Sequence, residues 1–161
     1  MPDEPPSDPA TEGITITRVF DAPRELVFKA WTEPERFVTW FGPADAEVPL
    51  STVSMDVRPG GAWRATMLAG PGHQIHWKGV YHEVVAPERL VFTITDQAEG
   101  EQEVVTVLLS DLGDDKTEMV FHQGGGHLTP EEYPRAKQGW SVFFDRMADH
   151  LTGTATGGGA A

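Results

Sequence analysis

The sequence predicts an α+β fold in which a curved antiparallel sheet of about seven strands wraps on one long C-terminal helix. Three observations predict it. Apolar residues alternate at a period of two through most of residues 51–123, and turn residues interrupt them at short intervals. Such short connections join antiparallel strands, because a parallel crossover needs about a dozen residues or more. From residue 136 onward, the apolar residues recur at helical spacing.

The length and composition suit one domain and exclude several classes of protein. The 161 residues include no cysteine, which excludes disulfides, thiolate metal sites and a thiol nucleophile. The net charge of −13 argues against nucleic acid and anionic membranes as partners, because both attract an excess of Lys and Arg. No apolar run approaches the roughly 18 residues of a membrane-spanning helix. The N-terminus lacks the features of a secretory signal, so we expect a cytoplasmic protein.

Both ends of the chain differ in composition from its body. Residues 1–13 are rich in Pro and acidic residues, which predicts a disordered tail. Residues 152–161 are uncharged and rich in Gly, which predicts a flexible end. The folded domain is therefore predicted to span residues 14–151.

The first elements of the domain are a strand and two short helices. Residues 14–20 alternate as a strand, and Pro23 stands where a first helical residue would. This helix is expected to end near Trp31. A capping box follows, in which Thr32 would accept a hydrogen bond from the amide of Glu35 and so begin a second short helix.

The remaining elements are six strands and one helix. The strands are predicted at residues 52–57, 62–69, 74–85, 90–96, 103–112 and 116–123. The glycine run 124–126 is the predicted hinge into the helix, and a second capping box at residues 129–132 begins it. The helix covers about residues 135–151 and presents an aromatic face to the sheet. Gly139 in its middle costs about 1 kcal/mol relative to Ala, which predicts that another element approaches closely there.

Seven short motifs occur in an order typical of one family. They are Phe20-Asp21-Ala22-Pro23, Thr32-Glu33-Pro34-Glu35, Trp40-Phe41-Gly42-Pro43, Asp56-Val57-Arg58-Pro59-Gly60-Gly61, Gly79-Val80-Tyr81, Pro87-Glu88-Arg89-Leu90-Val91-Phe92-Thr93 and Gly139-Trp140. The series resembles the Hsp90-ATPase-activator-homologue domain of the START-like (SRPBCC, Bet v 1-like) superfamily, over roughly residues 14–151. The resemblance implies a helix-grip fold with a cavity between the sheet and the last helix, and it implies no single activity.

Aromatic side chains are the main candidates for the lining of that cavity, since the chain has five Trp and eight Phe. Apolar clefts with few polar groups are the usual ligand sites, and a buried indole needs a hydrogen-bond partner. We expect Trp40 and Phe41 at the mouth. The sheet and the helix are expected to contribute Trp63, Met67, Trp77, Phe92, Phe121, Trp140 and Phe144. A place in a two-layer core is the alternative for each. For the strand residues the assignment also depends on register, because a one-residue slip of a strand inverts its faces.

Histidines and glycine runs give no metal or catalytic signature. His76 and His82 lie roughly 20 Å apart along one strand, too far for a common ion. We therefore expect no metal and no cofactor, and predict His76 or His122 as a polar contact inside the cavity. The glycine runs lack the Lys-Ser/Thr of a phosphate-binding loop, and no Ser has the Gly-x-Ser-x-Gly setting of a nucleophile. No catalytic residue is predicted.

The leading hypothesis is that the chain binds an apolar small molecule in the cavity without catalysis. The resemblance implies interaction with a chaperone as an alternative. The Hsp90 activator carries a further N-terminal domain, however, and here 13 residues precede the first predicted strand, which does not support that role. Aromatic cyclases of the START-like superfamily imply an enzyme as a third hypothesis, which a buried acid–base pair lining the cavity would favour. The ligand and the oligomeric state stay open.

Overall fold

The computed structural model describes residues 13–42, 46–68, 70, 72–96, 102–124 and 131–160, with side chains described as far as Leu151. Three sequence-based predictions concern residues outside these ranges. They are the N-terminal tail before residue 13, the hinge at residues 125–126, and the first half of the second capping box.

One sheet of seven strands forms the body of the described structure. The strands are β1 (Ile14–Phe20), β2 (Ser54–Met55), β3 (Ala62–Leu68), β4 (Gln74–Val85), β5 (Arg89–Ile94), β6 (Glu103–Gly113) and β7 (Lys116–Gly124). Their spatial order is β1-β7-β6-β5-β4-β3-β2, and every neighbouring pair is antiparallel. The strands β2 to β7 thus form a meander, and β1 adds to its end beside β7. The predicted fold class is confirmed.

Strand β2 is shorter than the predicted segment 52–57. Residues Leu50–Thr52 form a turn of 3₁₀ helix instead of strand. The Thr52 hydroxyl donates to the carbonyl oxygen of Pro49 at 2.7 Å and accepts from the amide of Thr66 at 3.1 Å. The bond to Pro49 is a local side-chain-to-backbone hydrogen bond of the kind that competes with strand pairing.

Two short helices follow β1, as predicted, but the capping box between them does not form. They are α1 (Arg24–Thr32) and α2 (Pro34–Phe37). Thr32 is still part of α1, and its hydroxyl donates to the carbonyl oxygen of Phe28 at 3.0 Å. Glu33 is the residue that precedes α2, and its carboxylate binds Arg36 at 3.0 Å.

The last helix, α3 (Tyr133–Ala160), is longer than the sequence predicts. It begins one residue before Pro134, where the missing N–H removes no helical bond. Its backbone continues past the end expected near residue 151, because each residue added to an existing helix gains one hydrogen bond. The domain boundaries at residues 14 and 151 stay a prediction. In the described part of the chain, no helix has the length and apolar character that crossing a membrane requires.

The core lies between α1, α3 and the face of the sheet that they cover, called here the inner face. Trp31 of α1 is 2% exposed and stands at the centre of this core. Its ring lies between 4.8 and 6.2 Å from five other aromatic rings: Trp40, Phe92, Phe121, Trp140 and Phe144. Aromatic packing therefore joins α1, α3, β5, β7 and the loop after α2 into one unit.

Glycines are required in the turn between β2 and β3. Gly60 has φ +87°, a conformation that other residues rarely adopt. A Cβ on Gly61 would lie 1.9 Å from the carbonyl oxygen of Asp56. The turn therefore depends on both glycines.

Candidate functional site

A cavity of about 260 Å³ lies between the inner face of the sheet and α3. Its lining comes from the loop after α2, from β4 to β7 and from α3, and consists of Phe41, Trp77, Ile94, Thr95, Asp96, Glu103, Gln123, Ala136, Gly139, Trp140 and Phe143. The volume exceeds the roughly 150 Å³ of an engineered cavity that binds benzene. It is close to the lower limit of about 300 Å³ for typical ligand pockets.

Small residues of α3 create this space. Ala136, Gly139, Trp140 and Phe143 recur at three- and four-residue spacing and share one side of the helix. A Cβ built on Gly139 would meet nothing within 4 Å. The close approach predicted at Gly139 is therefore wrong: its missing side chain leaves room for the cavity, not for another element.

Four aromatic rings form the apolar part of the lining, called here the aromatic wall: Phe41, Trp77, Trp140 and Phe143. The Phe41 ring lies 5.9 Å from Trp77, 6.1 Å from Trp140 and 5.7 Å from Phe143. The rings of Trp140 and Phe143 are 5.5 Å apart. Flat apolar molecules pack well against such rings, in offset-stacked or edge-to-face arrangements.

A chain of buried hydrogen bonds forms the polar part, called here the Glu103 network. Trp140 Nε1 donates to Gln123 Oε1 at 2.6 Å, and Gln123 Nε2 donates to Glu103 Oε1 at 3.2 Å. The hydroxyl of Tyr133 donates to the same Glu103 oxygen at 3.1 Å. All four residues are less than 10% exposed. The network therefore fixes a carboxylate at the edge of an apolar cavity.

One wall residue holds an unused donor. Trp77 Nε1 is buried and has no hydrogen-bond partner among the described residues. A buried donor without a partner costs about 1–3 kcal/mol.

A second, smaller void lies deeper in the core. Its volume is about 10 Å³, close to the space that one water molecule needs. Phe41, Ile94 and Trp140 belong to the linings of both the void and the cavity. The void also contacts Tyr81 and Trp31, and Trp31 Nε1 is buried with no hydrogen-bond partner in the part of the chain that the structure describes. Burial, together with the charge of Asp56, raises the pKa of the Tyr81 phenol.

One known protein family matches most of this chain. The family described as activator of Hsp90 ATPase homolog 1-like protein matches residues 21–152. The chain belongs to this family. It is a family of the START-like superfamily, so the predicted resemblance and the helix-grip fold are confirmed.

Solved structures of similar proteins share this fold. A protein from Chromobacterium violaceum is 26% identical, with a TM-score of 0.74 over 87% of this chain and 96% of that chain. The AHSA1 protein from Silicibacter pomeroyi is 22% identical, with a TM-score of 0.75 over 86% and 96%. A protein from Staphylococcus epidermidis is 23% identical, with a TM-score of 0.74 over 89% and 91%. None of the curated proteins matches this chain.

The Gly79-Val80-Tyr81 motif has a structural role in this member of the family. Trp63 Nε1 donates to the carbonyl oxygen of Thr93 at 2.9 Å. A Cβ on Gly79 would lie 1.7 Å from that oxygen and 2.5 Å from the indole nitrogen. Only glycine leaves room for this hydrogen bond.

The structure brings five of the nine predicted cavity residues to an internal space. Phe41, Trp77 and Trp140 line the cavity, and Trp63 and Phe92 line the small void. The other four lie in the core: Trp40, Met67, Phe121 and Phe144. Trp40, expected at the mouth, is fully buried and donates from Nε1 to the carbonyl oxygen of Ala30 at 2.8 Å. The core alternative therefore holds for these four residues.

Neither predicted histidine faces the cavity. His76 follows Ile75 and precedes Trp77, so it points to the outer face, where its Nδ1 lies 3.1 Å from Thr66 Oγ1. His122 follows the buried Phe121, and its Nδ1 lies 3.0 Å from Thr15 Oγ1. Among the described residues, no group of three or more His, Asp or Glu is placed to hold a metal ion.

The sequence-based predictions did not assign five residues to this site: Glu103, Gln123, Tyr133 and the helix residues Gly139 and Phe143. A signal for the first two was present in the strand pattern. Glu103 has the same parity as the buried Val105, Val107 and Leu109, and Gln123 has that of Met119 and Phe121. A polar residue in phase with the apolar face of a strand predicts a buried polar site.

Proposed function

We propose that this protein binds a small aromatic or apolar molecule in the cavity between the sheet and α3. The observation that carries the proposal is the combination of a 260 Å³ space, an aromatic wall and one buried polar network. Ligand sites are typically apolar with a few placed polar groups. Membership of the family supports a ligand-binding type of domain in general.

The lining indicates the shape of the ligand. A flat ring system larger than benzene matches the volume and packs between the rings of Phe41, Trp77, Trp140 and Phe143. We therefore expect the ligand to be a flat aromatic compound.

Tryptophan fluorescence tests the proposal, because two of the five Trp belong to the aromatic wall. Flat aromatic compounds should quench the emission, raise the melting temperature and bind with micromolar affinity, about −8 kcal/mol. The Gly139→Leu variant is the matched control, since its side chain would occupy the same space. Compounds that change neither the emission nor the melting temperature across a broad panel would contradict the proposal.

Native mass spectrometry of freshly purified protein identifies a ligand that is retained from the cell. The expected result is a non-covalent adduct that disappears in Gly139→Leu. Its mass would define the class of the ligand directly.

The Glu103–Tyr133 pair is the observation that favours an enzyme as the second candidate. Both side chains are buried, a 3.1 Å hydrogen bond joins them, and Glu103 lines the cavity. A carboxylate in such a place is able to accept a proton from a bound molecule. Chromatography of a bound compound after incubation tests this: a new product that Glu103→Gln fails to form would favour catalysis, and an unchanged compound would favour simple binding.

Interaction with an Hsp90 chaperone, the role implied by the family resemblance, stays a prediction. The ATPase rate of purified Hsp90, measured with and without this protein, tests it. Stimulation by wild type and by Gly139→Leu alike would indicate a surface role that does not need the cavity.

A further inference from the structure

We propose that the cavity selects an organic cation, a protonated or quaternary amine on an aromatic body, because it joins the carboxylate of Glu103 to the four rings of the aromatic wall. The inference rests on the proposed function and adds the charge class of the ligand to it.

The charge of the described lining has one sign. Asp96 and Glu103 are the ionisable residues among the described residues that line the cavity, and both are acidic. Glu103 is 3% exposed, whereas Asp96 lies at the exposed side of the cavity. Charge interactions are stronger in a desolvated site than in water. A cationic group is therefore attracted from the opening inward, and an anionic group is repelled.

The position of the Glu103 carboxylate is set before any ligand arrives. Gln123 and Tyr133 both donate to its Oε1, and Trp140 holds Gln123 in place. These partners are themselves buried. A carboxylate that is already oriented loses little conformational freedom when an ammonium group binds to it. A protonated amine would also donate a charge-assisted hydrogen bond to Glu103, about twice as strong as a neutral one, whereas a quaternary ammonium would be attracted by its charge alone.

The aromatic wall supplies the second attraction. A cation is attracted to the face of an aromatic ring within about 6 Å of its centre, and Trp is the strongest partner. Neighbouring rings of the wall are separated by 5.5–6.1 Å. A cation in the cavity therefore comes within reach of more than one ring. Trp140 belongs to the wall and to the Glu103 network, so the two attractions act at the same place.

A matched pair of compounds tests the charge preference alone. Benzyltrimethylammonium and neopentylbenzene have the same shape and differ in one atom, nitrogen or carbon, and thus in charge. We expect the cation to bind at least 10-fold more tightly at low salt in fluorescence titrations. Phenylacetate, as the anion, should bind more weakly than either.

Glu103→Gln and Glu118→Gln locate the origin of the preference. Both remove one negative charge, but Glu118 points to the outer face, between the buried Thr117 and Met119. The preference for the cation should fall to less than threefold in Glu103→Gln and stay at its wild-type value in Glu118→Gln. An equal loss in both variants would overturn the assignment to Glu103, because only the net charge would then matter.

Phe143→Leu provides a test that does not depend on the Glu103 network. The substitution keeps an apolar side chain at a partly exposed position and removes one ring face. The affinity for benzyltrimethylammonium should decrease more than that for neopentylbenzene. If wild type binds both compounds with equal affinity, the inference is overturned while the proposed function stands. If neither these compounds nor the broader aromatic panel binds, the proposed function itself fails.

Discussion

Substitutions at Gly139 change the stability of α3 and the volume of the cavity independently. Glycine in the middle of a helix costs about 1 kcal/mol relative to alanine. A methyl group there would meet nothing within 4 Å. We therefore expect Gly139→Ala to raise the free energy of unfolding by about 1 kcal/mol, which corresponds to about 2–4 °C in Tm for a domain of this size.

A larger side chain at the same position should keep this stability and remove binding. Leucine has nearly the helix propensity of alanine. On a helix it leans toward the preceding turn, where Ala136 lines the same cavity. Gly139→Leu should therefore be at least as stable as wild type and bind the fluorescence-quenching compounds at least 10-fold more weakly.

Urea unfolding followed by circular dichroism measures the stabilities, and fluorescence titration measures the affinities. Loss of stability in Gly139→Ala would refute the reasoning, because it would mean that the space beside Gly139 is filled. Wild-type affinity in Gly139→Leu would place the ligand elsewhere, and collapse of the fold in that variant would show that α3 cannot accept the side chain.

Three further substitutions test the packing of the core and the ionisation of a buried tyrosine. Trp140→Ala should lower the free energy of unfolding by about 3–5 kcal/mol and also weaken aromatic binding, since the side chain is both core and wall; a loss of stability with unchanged affinity would remove it from the site. Gly79→Ala should cost more than about 4 kcal/mol or prevent folding, because its Cβ would overlap the carbonyl oxygen of Thr93, and a folded variant of wild-type Tm would contradict this. Burial raises the pKa of Tyr81, so the stability that its neutral form confers is complete below about pH 10 and is lost as pH rises further. Tyr81→Phe should lose less stability than wild type between pH 9 and 11 in urea titrations, and identical losses would show that Tyr81 is not the group concerned.

The elements of the fold could be predicted from the sequence because they depend on nearby residues. Strands β3, β4 and β7 lie within one residue of the segments that the alternation predicts. Periodicity is a property of a few consecutive positions, and burial on one side of an element imposes it. The seven motifs predicted the fold of the whole domain. Turns such as the one at Gly60 require particular residues in every protein with this fold.

Local signals were misleading where two of them competed. Thr32 has the spacing of a helix N-cap, yet it ends α1 and donates its hydroxyl to Phe28. Thr52 stands in an alternating segment, yet its hydroxyl supports a 3₁₀ turn. In both cases the threonine hydroxyl donates to a backbone carbonyl three or four residues earlier, and this local bond replaces the cap or the strand that the pattern predicts.

The cavity was decided by the tertiary structure. Glu103 and Gln123 meet because β6 and β7 are adjacent, and Tyr133 reaches them only because α3 lies across the sheet. Trp40 is in the core because the two short helices fold back onto that same face. An alternating pattern tells which residues share a face, but an empty space between distant elements depends on how their side chains fill it. Gly139 shows this most clearly: the sequence marked the residue as unusual, and only the packing around it revealed that its missing side chain makes room for the cavity.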